Sequence, residues 1–333
     1  MELETGSRGA AITDVTILGG GPVGLYGAYS CGLHGLSCRL IERLPHLGGQ
    51  LTALYPEKLI FDVGGYPKVT GRELIEVLAE QSIKDGASVN LGEKVTDLAR
   101  EGDLWRLTTS MGEHLTRTVV IAAGIGAFNP RHLNIPGEEE LLGRGVQYFV
   151  RQVSAFHGKR VLVVGGGDSA VDWANTLIPH ASVRVVHNLP KWQAHEESVE
   201  RLRASGIPIG QPWELREILG KGHVEAAVIG PCGSDAQETV EVDEVLICIG
   251  FSTDLGPIKG WNLPIRGGQI QVDWGMKTPL EGVFAAGDVV TYPGKTKLIA
   301  LGFGEVGMAV DSAVHYLFPE QRITTKHSSD RGF

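Results

Sequence analysis

A low cysteine content is the first feature of this sequence, with only four cysteines among 333 residues. They are Cys31, Cys38, Cys232 and Cys248, and they form neither a C-x-x-C pair nor a spacing typical of a zinc site. We therefore expect no metal centre and no redox-active dithiol. Cys31, Cys38 and Cys248 lie in apolar segments, where a free cysteine usually serves as a small buried residue.

Long apolar runs and an excess of basic residues are also absent. The longest nearly unbroken apolar run, at 119–128, is too short to cross a bilayer. The first residues lack the apolar core of a secretion signal. A formal net charge of −9 at pH 7 argues against binding to nucleic acid or to an anionic membrane surface. These absences predict a cytoplasmic protein with no nucleic-acid or membrane partner.

What the sequence does contain is a glycine-rich motif that occurs twice. Residues 14–24 (DVTILGGGPVG) and 159–170 (KRVLVVGGGDSA) each run from an apolar strand through three glycines into a helical pattern. A second strand follows each motif, at 37–43 and at 182–188. Two βαβ units in one chain predict two nucleotide-binding sheets.

The last part of the chain adds a strand at 281–290 and a helix at 301–318 but no third repeat. We expect both to complete the first sheet, so that the second domain is inserted into the first. The predicted fold is α/β, with two Rossmann-like, three-layer ββα dinucleotide-binding domains. Residues 1–126 and 253–333 are predicted to form the first domain, and residues 127–252 the inserted one.

The first glycine loop, residues 19–24, matches G-x-G-x-x-G directly after a strand. Gly19 permits the tight turn, Gly21 lets the backbone approach a pyrophosphate, and Gly24 allows close helix–strand packing. The helix N-terminus stabilises the phosphate charge. Glu42 ends the next strand, 18 residues after Gly24, where a carboxylate accepts hydrogen bonds from ribose hydroxyls. The loop is predicted to bind a dinucleotide.

The second glycine loop, residues 165–170, has Gly165, Gly167 and Ala170 in the same places, and Ser169 adds a hydroxyl. We expect it to bind a second dinucleotide. Because a flavin and its nicotinamide partner are the usual pair of dinucleotides in one chain, the repeat predicts an oxidoreductase.

The residue that corresponds to Glu42 in the second repeat is Asn188. Without a carboxylate there, a ribose 2′-phosphate is not repelled, which favours NADP over NAD. The neighbouring cations are Arg184 and Lys191, with His187 beside them. The residues alone leave open whether these cations are ordinary solvated charges.

Three stretches carry a narrower resemblance: 42–68 (ERLPHLGGQLTALYPEKLIFDVGGYPK), 278–295 (TPLEGVFAAGDVVTYPGK) and the ending HSSDRGF. They resemble the thioredoxin-reductase-like ferredoxin–NADP reductases, and residues 12–329 resemble the two-dinucleotide flavoproteins typified by thioredoxin reductase. The resemblance implies FAD in the first domain and NADPH in the inserted one. It also implies hydride transfer from NADPH to FAD, single-electron transfer to ferredoxin or the reverse, and a homodimer.

The resemblance further implies roles for individual residues. Tyr55 would stack on one face of the flavin ring and His327 on the other, and Ser329 would lie near the reactive edge. The other residues implied to contact FAD are Glu42, Gln50, Val95, Phe128 and Asp288. Without the resemblance, the residues favour a surface-packed loop tyrosine for Tyr55, and they also allow a turn cap for Asp288 and an unstructured tail around His327.

One departure from the family pattern concerns the coenzyme. Family members commonly carry His-Arg-Arg where this sequence has His187, Asn188 and Leu189. Two arginines would hold a 2′-phosphate by charge-assisted hydrogen bonds, and Lys191 offers only a point charge. The preference between NADPH and NADH therefore stays open.

The segment QYFVRQ, residues 147–152, separates the rival functions. Thioredoxin reductases carry a C-x-x-C between a Gly-Arg-Gly-Val and the second loop, and here the Gly-Arg-Gly-Val at 143–146 is followed by no cysteine. A disulfide reductase needs a thiolate at that place. An NAD(P)H oxidase or quinone reductase without a dithiol remains an alternative. So does a non-catalytic flavin-binding redox sensor, which would need no intact second loop.

Overall fold

A computed structural model describes residues 12–84 and 86–320. Its chain divides into two units. The first unit consists of the described residues up to Ala127 and from Thr253 onward, and the second is Phe128–Ser252.

The regular elements follow one another in the chain as a mixture of short strands and helices. The α-helices in the described residues are α1 Pro22–Leu33, α2 Gln50–Leu54, α3 Gly71–Ile83, α4 Asp168–Leu177, α5 Glu196–Ala204 and α6 Ile299–Leu317. The strands of the first half are β1 Thr13–Leu18, β2 Cys38–Ile41, β3 Leu59–Ile60, β4 Val69–Thr70, β5 Ser88–Asn90, β6 Val95–Glu101, β7 Leu104–Thr109, β8 Glu113–Ile121, β9 Ala127–Pro130, β10 Val146–Gln147 and β11 Arg160–Val164. Those of the second half are β12 Ser182–Val186, β13 Ile209–Gly210, β14 Trp213–Leu219, β15 Ala226–Pro231, β16 Glu238–Glu241, β17 Glu244–Ile247, β18 Phe251–Asp254, β19 Ile265–Arg266, β20 Gln269–Gln271, β21 Val283–Ala285 and β22 Val290–Thr291.

The first unit is built on a seven-stranded sheet in the order β5-β2-β1-β8-β7-β6, with β21 also paired to β8. The strands β5, β2, β1, β8 and β21 pair in parallel, whereas β6 and β7 extend β8 as an antiparallel meander. Leu18 pairs with both Ile41 and Ile121, and Ile121 pairs with Ala285. Four parallel strands therefore end side by side, at one edge of the sheet.

Alternation along these strands divides the first unit into three layers. Ile17 and Val120 point into a core with α1, α3 and α6. Their neighbours Leu18, Val119 and Ile121 point into a second core formed with β6, β7 and β20. Because side chains alternate across a strand, one sheet separates a helical layer from a β layer.

The second unit repeats this construction on a smaller scale. Its parallel sheet has the order β10-β17-β11-β12-β13, and a separate antiparallel sheet has the order β14-β15-β16. Val161 and Val163 pack toward α4 and α5. Leu162 and Val164 pack toward the antiparallel sheet. The predicted fold class, two Rossmann-like three-layer ββα domains, is confirmed.

Strand β8 is longer than the sequence pattern predicts and pairs with strands on both of its sides. In the sequence, the alternating residues 103–120 predict a hairpin, and the apolar residues 119–124 predict a separate strand. The structure has one nine-residue strand, Glu113–Ile121. Its first residues pair antiparallel with β7, while Thr116–Ile121 pair in parallel with β1. The meander is therefore a direct extension of the parallel sheet.

Candidate active site

The first candidate site lies where the parallel strands of the first unit end. Gly19 follows β1, Glu42 follows β2, and the turn Gly287–Val289 follows β21. In open α/β sheets, ligands bind at the carboxyl ends of the strands. The register of the sheet thus brings the first loop, Glu42 and Asp288 to one edge.

The structure of the protein requires glycine at two of the three glycine positions of the first loop motif, Gly19 and Gly24, and leaves the third open. Gly19 has φ +114°, and a Cβ on it would lie 2.4 Å from the Ala122 carbonyl oxygen. A Cβ on Gly24 would lie 1.8 Å from the Gly19 carbonyl oxygen, so this position allows helix α1 to approach the turn. Gly21 differs from both, because it has extended backbone (φ −75°, ψ −176°) and a Cβ there would meet nothing within 4 Å. Since neither backbone nor packing requires glycine at position 21, the open space in front of it is suited to a ligand.

Gly24→Ala is expected to lower the free energy of unfolding of the protein by about 1–3 kcal/mol, the usual cost of overpacking. The added methyl would overlap a backbone oxygen that belongs to the same turn. Urea denaturation followed by circular dichroism measures the change. The matched control is Gly307→Ala in α6, where a Cβ meets nothing within 4 Å and alanine is favoured over glycine in a helix. Equal stability of the Gly24→Ala variant and the wild type would contradict the close packing of α1 against the turn at Gly19.

Glu42 lies buried beside the first loop. Its carboxylate accepts hydrogen bonds from the Gly20 N–H at 2.6 Å and from the Leu44 N–H at 2.8 Å. The side chain therefore fixes the loop relative to the end of β2. It also places a negative charge next to the loop, as a ribose-binding carboxylate requires.

Asp288 lies in a turn between two helix N-termini. Its carboxylate is half-buried and has no hydrogen-bond partner within the described part of the chain. The turn packs against Val23 of α1, which lies 3.3 Å from where a Gly287 Cβ would be. Val23 also lies 2.5 Å from where a Gly302 Cβ would be, so the first turn of α6 approaches equally closely. Neither α1 nor α6 has a side-chain N-cap or an acidic residue in its first turn.

Gln50 and Tyr55 lie on a short helix beside the first loop. Gln50 begins α2, and its Nε2 atom is 3.2 Å from where a Gly124 Cβ would be. Tyr55 follows the last residue of α2 and is half-buried, with the Lys58 Nζ atom 5.8 Å from its ring centroid. A Cβ on Gly49 would lie 3.2 Å from the Gly21 Cα atom. The structure thus brings the α2 segment to the loop, which is compatible with the flavin contacts predicted for Gln50 and Tyr55.

Of the remaining residues predicted to contact the flavin, only Val95 has a described side chain. Val95 begins β6 and packs against the second core of the first unit. Phe128 lies in β9, and its side chain is outside the described residues. His327 and Ser329 are also outside the described residues.

The second candidate site has the same loop geometry in the second unit. Gly165 has φ +136°, and a Cβ on it would lie 2.2 Å from the Cys248 carbonyl oxygen. Gly167 is the N-cap of α4, has extended backbone (φ −89°, ψ 176°) and lacks a side-chain cap. A Cβ on Gly167 would again meet nothing within 4 Å. Ser169 is half-buried in the first turn of α4, and Ala170 is buried.

His187 supports the second loop from below. A Cβ on Gly166 would lie 2.3 Å from the His187 ring, and the His187 Nε2 atom is 3.0 Å from the Lys191 carbonyl oxygen. The His187 Nδ1 and Trp192 Nε1 atoms are buried and have no hydrogen-bond partner among the described residues. The Gln193 N–H donates to the Gly166 carbonyl at 2.8 Å, so the segment after His187 folds back onto the loop.

Two cations, Arg184 and Lys191, were predicted near the second loop, and the structure distinguishes them by their ion-pair partners. The Arg184 guanidinium is 2.5 Å from the Glu238 carboxylate, which already pairs its charge. Lys191 is exposed, and its amine has no ion-pair partner within residues 12–84 and 86–320. Lys191 is therefore the cation available to a ligand here.

The QYFVRQ segment is occupied by packed side chains. Tyr148 is buried, its hydroxyl donates to the Glu138 carboxylate at 2.9 Å, and the same oxygen is 2.9 Å from His132 Nδ1. Burial, followed by the hydrogen bond to Glu138, raises the pKa of Tyr148 well above its usual value. Val150 is fully buried in the core against α4. These are the contacts of a packed core segment.

The cysteines do not supply a reactive thiolate. Burial raises the pKa of the Cys248 thiol to about 12. The neighbouring Cys38 thiol and then burial raise the pKa of Cys31 well above its usual value. Burial also raises the pKa of Cys232. Disulfide exchange requires a thiolate, so these thiols are poorly suited to it.

The described residues contain neither a metal-binding cluster nor a membrane-spanning helix. Within residues 12–84 and 86–320, no three side chains of histidine, cysteine, aspartate or glutamate are grouped to hold a metal ion. None of the helices in the same ranges has both the length and the apolar character needed to cross a membrane.

This chain is similar to known proteins both in sequence and in structure. The model of the family described as pyridine nucleotide-disulphide oxidoreductase matches residues 13–313. The chain belongs to this family. It is 46% identical over 325 residues to the ferredoxin–NADP reductase of Thermus thermophilus, covering 96% of this chain and 97% of the relative. It is 44% identical over 320 residues to ferredoxin–NADP reductase 2 of Bacillus subtilis, covering 96% of each chain.

Solved structures add the likeness to thioredoxin reductases. The crystal structure of T. acidophilum thioredoxin reductase has a TM-score of 0.79 at 26% identity, covering 94% of this chain and all of that one. Thioredoxin reductase of Lactococcus lactis has a TM-score of 0.78 at 28% identity, covering 92% and 99%. The predicted resemblance to the thioredoxin-reductase-like ferredoxin–NADP reductases is confirmed.

One part of the site was missed in the sequence. Glu305, in helix α6, is buried and accepts a hydrogen bond from the Gly287 N–H at 2.8 Å. Its signal was present, because it is the lone carboxylate of the apolar run 299–310, and a carboxylate rarely becomes buried unless it is paired.

Proposed function

We propose that this protein is an FAD-dependent ferredoxin–NADP(+) reductase, which moves electrons between NADPH and ferredoxin. The observation that carries the proposal is that each unit has an open glycine N-cap at the carboxyl edge of its parallel sheet. Two such sites in one chain fit two dinucleotides. The relatives at 46% and 44% identity bear the name ferredoxin–NADP reductase.

We assign FAD to the first unit and the nicotinamide coenzyme to the second. The residues of the first unit fit the larger cofactor. The first loop offers backbone N–H groups at an uncapped helix N-terminus, Glu42 lies next to the loop, and the Asp288 carboxylate is left without a partner in the described chain. The second unit offers a loop, an uncapped α4 and Lys191, which suit NADPH.

The chain's own residues bind and orient in this reaction. The uncapped N-termini of α1 and α4 stabilise pyrophosphate charge, and Glu42 and Asp288 are placed to accept hydrogen bonds from ribose and ribityl hydroxyls. Bound FAD supplies the redox chemistry, taking up two electrons as hydride and releasing them singly. Hydride transfer requires no acid–base pair from the protein. Tyr55, His327 and Ser329 are proposed to contact the flavin ring.

The proposal for the electron acceptor rests on the QYFVRQ segment, residues 147–152, which contains no cysteine. With buried Tyr148 and Val150 in place of a dithiol, reducing equivalents have no thiolate to pass through and leave from the flavin. A one-electron iron–sulfur carrier such as ferredoxin fits that requirement, and plant-type ferredoxins have potentials near about −400 mV. Measuring oxygen uptake and quinone reduction beside ferredoxin reduction separates this proposal from the oxidase reading.

Lys191→Ala is expected to raise KM for NADPH about fivefold and to leave KM for NADH unchanged. The lysine would provide a single exposed contact to the 2′-phosphate, which contributes about 1 kcal/mol. Steady-state kinetics with both coenzymes measures the ratio. Arg184→Ala is the matched control, because its guanidinium is already paired with Glu238 and its loss should not change the ratio. If Arg184→Ala alone lowered discrimination, the assignment to Lys191 would be wrong.

We also propose a cytoplasmic homodimer. The support is the resemblance to the reductase family, together with a chain free of long apolar helices over the described residues. Analytical ultracentrifugation of the FAD-loaded protein tests the dimer, and a mass of one chain, 35.7 kDa, at micromolar concentration would refute it.

A further inference from the structure

A buried ion pair joins helix α6 to the segment that precedes it. The side chains of Lys295 and Glu305 are 5% and 2% exposed, and the Lys295 Nζ atom is 2.5 Å from Glu305 Oε1. The Tyr292 hydroxyl donates to the same oxygen at 2.6 Å. The Gly287 N–H donates to the other oxygen, Oε2, at 2.8 Å. Both carboxylate oxygens are therefore used, and three segments of the chain meet at one side chain.

Stability alone does not explain the buried pair of Lys295 and Glu305, because burying the two charges carries a large desolvation penalty. Removing two charges from water costs several kcal/mol per ion, and apolar replacement of a buried pair is often neutral or stabilising. The neighbours of Glu305 on the inner face of α6 are apolar, including Gly302, Val306 and Ala309. An apolar residue at position 305 would continue that face. The carboxylate therefore calls for a reason other than packing.

The position of Glu305 supplies that reason. Gly287 has φ +86° and begins the turn whose next residue is Asp288. With the Gly287 N–H held by Glu305, the Ala286–Gly287 peptide, which leads into the turn, is fixed in orientation. The second anchor of the turn is Gln269, whose side-chain amide donates to the Asp288 carbonyl at 3.0 Å. Asp288 is thus fixed through its backbone, which leaves its carboxylate unpaired within the described chain.

Tyr292 and Lys295 both contact the Oε1 atom of the Glu305 carboxylate. Burial and the hydrogen bond to Glu305 raise the pKa of Tyr292 to about 12, so its hydroxyl stays protonated and donates. Lys295 supplies the charge that a buried carboxylate requires. Both residues belong to the YPGK segment, Tyr292 to Lys295, which leads directly into the N-terminus of α6.

We infer that Glu305 is a positioning residue for the flavin: with Lys295 it fixes the Asp288 turn and the start of α6, and thereby sets FAD affinity and flavin potential. The inference rests on the proposed function, because it takes Asp288 as a flavin ligand. It assigns a role in cofactor binding to two buried residues that do not themselves need to touch the cofactor.

The test compares FAD affinity and flavin midpoint potential in four variants. Glu305→Gln and Lys295→Met each leave one partner of the pair unmatched, and Tyr292→Phe removes one hydroxyl. Asp311→Asn is the matched control, because Asp311 is an exposed carboxylate on the same helix whose partner is His34, 2.9 Å away. Flavin-free protein is prepared from each holoenzyme and titrated with FAD by fluorescence quenching. Potentials are measured by dye equilibration.

Glu305→Gln and Lys295→Met are expected to raise the Kd for FAD about ten- to hundredfold, as loss of a charged hydrogen bond implies. Tyr292→Phe keeps the ring and the Lys295–Glu305 ion pair, and it is expected to raise the Kd about two- to tenfold. All three should shift the flavin potential, and Asp311→Asn should match the wild type in both measurements. Wild-type Kd and potential in Tyr292→Phe and in the folded charge variants would overturn the inference. Failure of the wild type to bind FAD would instead refute the proposed function.

Discussion

Gly21→Val is expected to raise the Kd for FAD about ten- to hundredfold while leaving the apoprotein folded. Valine adopts the extended backbone that Gly21 already has, and a Cβ there meets nothing within 4 Å. The isopropyl group would instead fill the space through which a pyrophosphate approaches the backbone, and overpacking of that kind costs about 1–3 kcal/mol. FAD titration of the apoprotein gives the affinity, and circular dichroism gives the fold.

The pair of variants at positions 21 and 24 makes this test specific. Gly24→Ala is expected to lower stability because its Cβ would meet the Gly19 carbonyl at 1.8 Å, whereas Gly21→Val should lower affinity without that loss. Gly307→Ala, with an open Cβ position elsewhere in the first unit, should lower neither the stability nor the affinity for FAD. A Gly21→Val protein that binds FAD as tightly as the wild type would remove the cofactor from this loop.

Gly167→Val is expected to raise KM for NADPH about ten- to hundredfold while leaving bound FAD unchanged. Gly167 is the N-cap of α4 with extended backbone, and a Cβ there also meets nothing within 4 Å. The valine side chain would occupy the approach of the coenzyme pyrophosphate, with a cost of about 1–3 kcal/mol. Stopped-flow reduction of the bound flavin over a range of NADPH concentrations measures the change.

The two valine variants form a crossed design. Gly21→Val should reduce flavin content, and the flavin that remains should be reduced at wild-type NADPH concentrations. Gly167→Val should keep full flavin content and require more NADPH. If Gly167→Val lost FAD and Gly21→Val did not, the assignment of cofactors to the two units would have to be exchanged.

Much of the fold could be predicted because its signals are local. The two strand–glycine–helix repeats at 14–24 and 159–170 became β1–α1 and β11–α4. The helix expected at 301–318 is α6, Ile299–Leu317. Strand β14 was missed, since Trp213–Leu219 has a bulge between Leu215 and Glu217 that interrupts its alternation.

The candidate site was less predictable, because several of its features depend on contacts distant in sequence. The Glu305–Gly287 hydrogen bond spans 18 residues, and nothing near Glu305 in the sequence indicates that partner. His187 was predicted as a coenzyme residue, and only the fold shows its ring packed under Gly166. Arg184 and Lys191 look equivalent in the sequence, and the ion pair with Glu238 distinguishes them. The flavin-contact roles of Tyr55, His327 and Ser329 stay predictions.

Anaerobic mixing of the FAD-loaded protein with NADPH, followed by addition of a plant-type ferredoxin, tests the central proposal most directly. The account predicts that NADPH bleaches the visible flavin absorbance and that ferredoxin, but not the disulfide of thioredoxin, restores it. Ferredoxin reduction should then continue at steady state. A flavin that NADPH does not bleach, or that thioredoxin disulfide reoxidises and ferredoxin does not, would contradict the account.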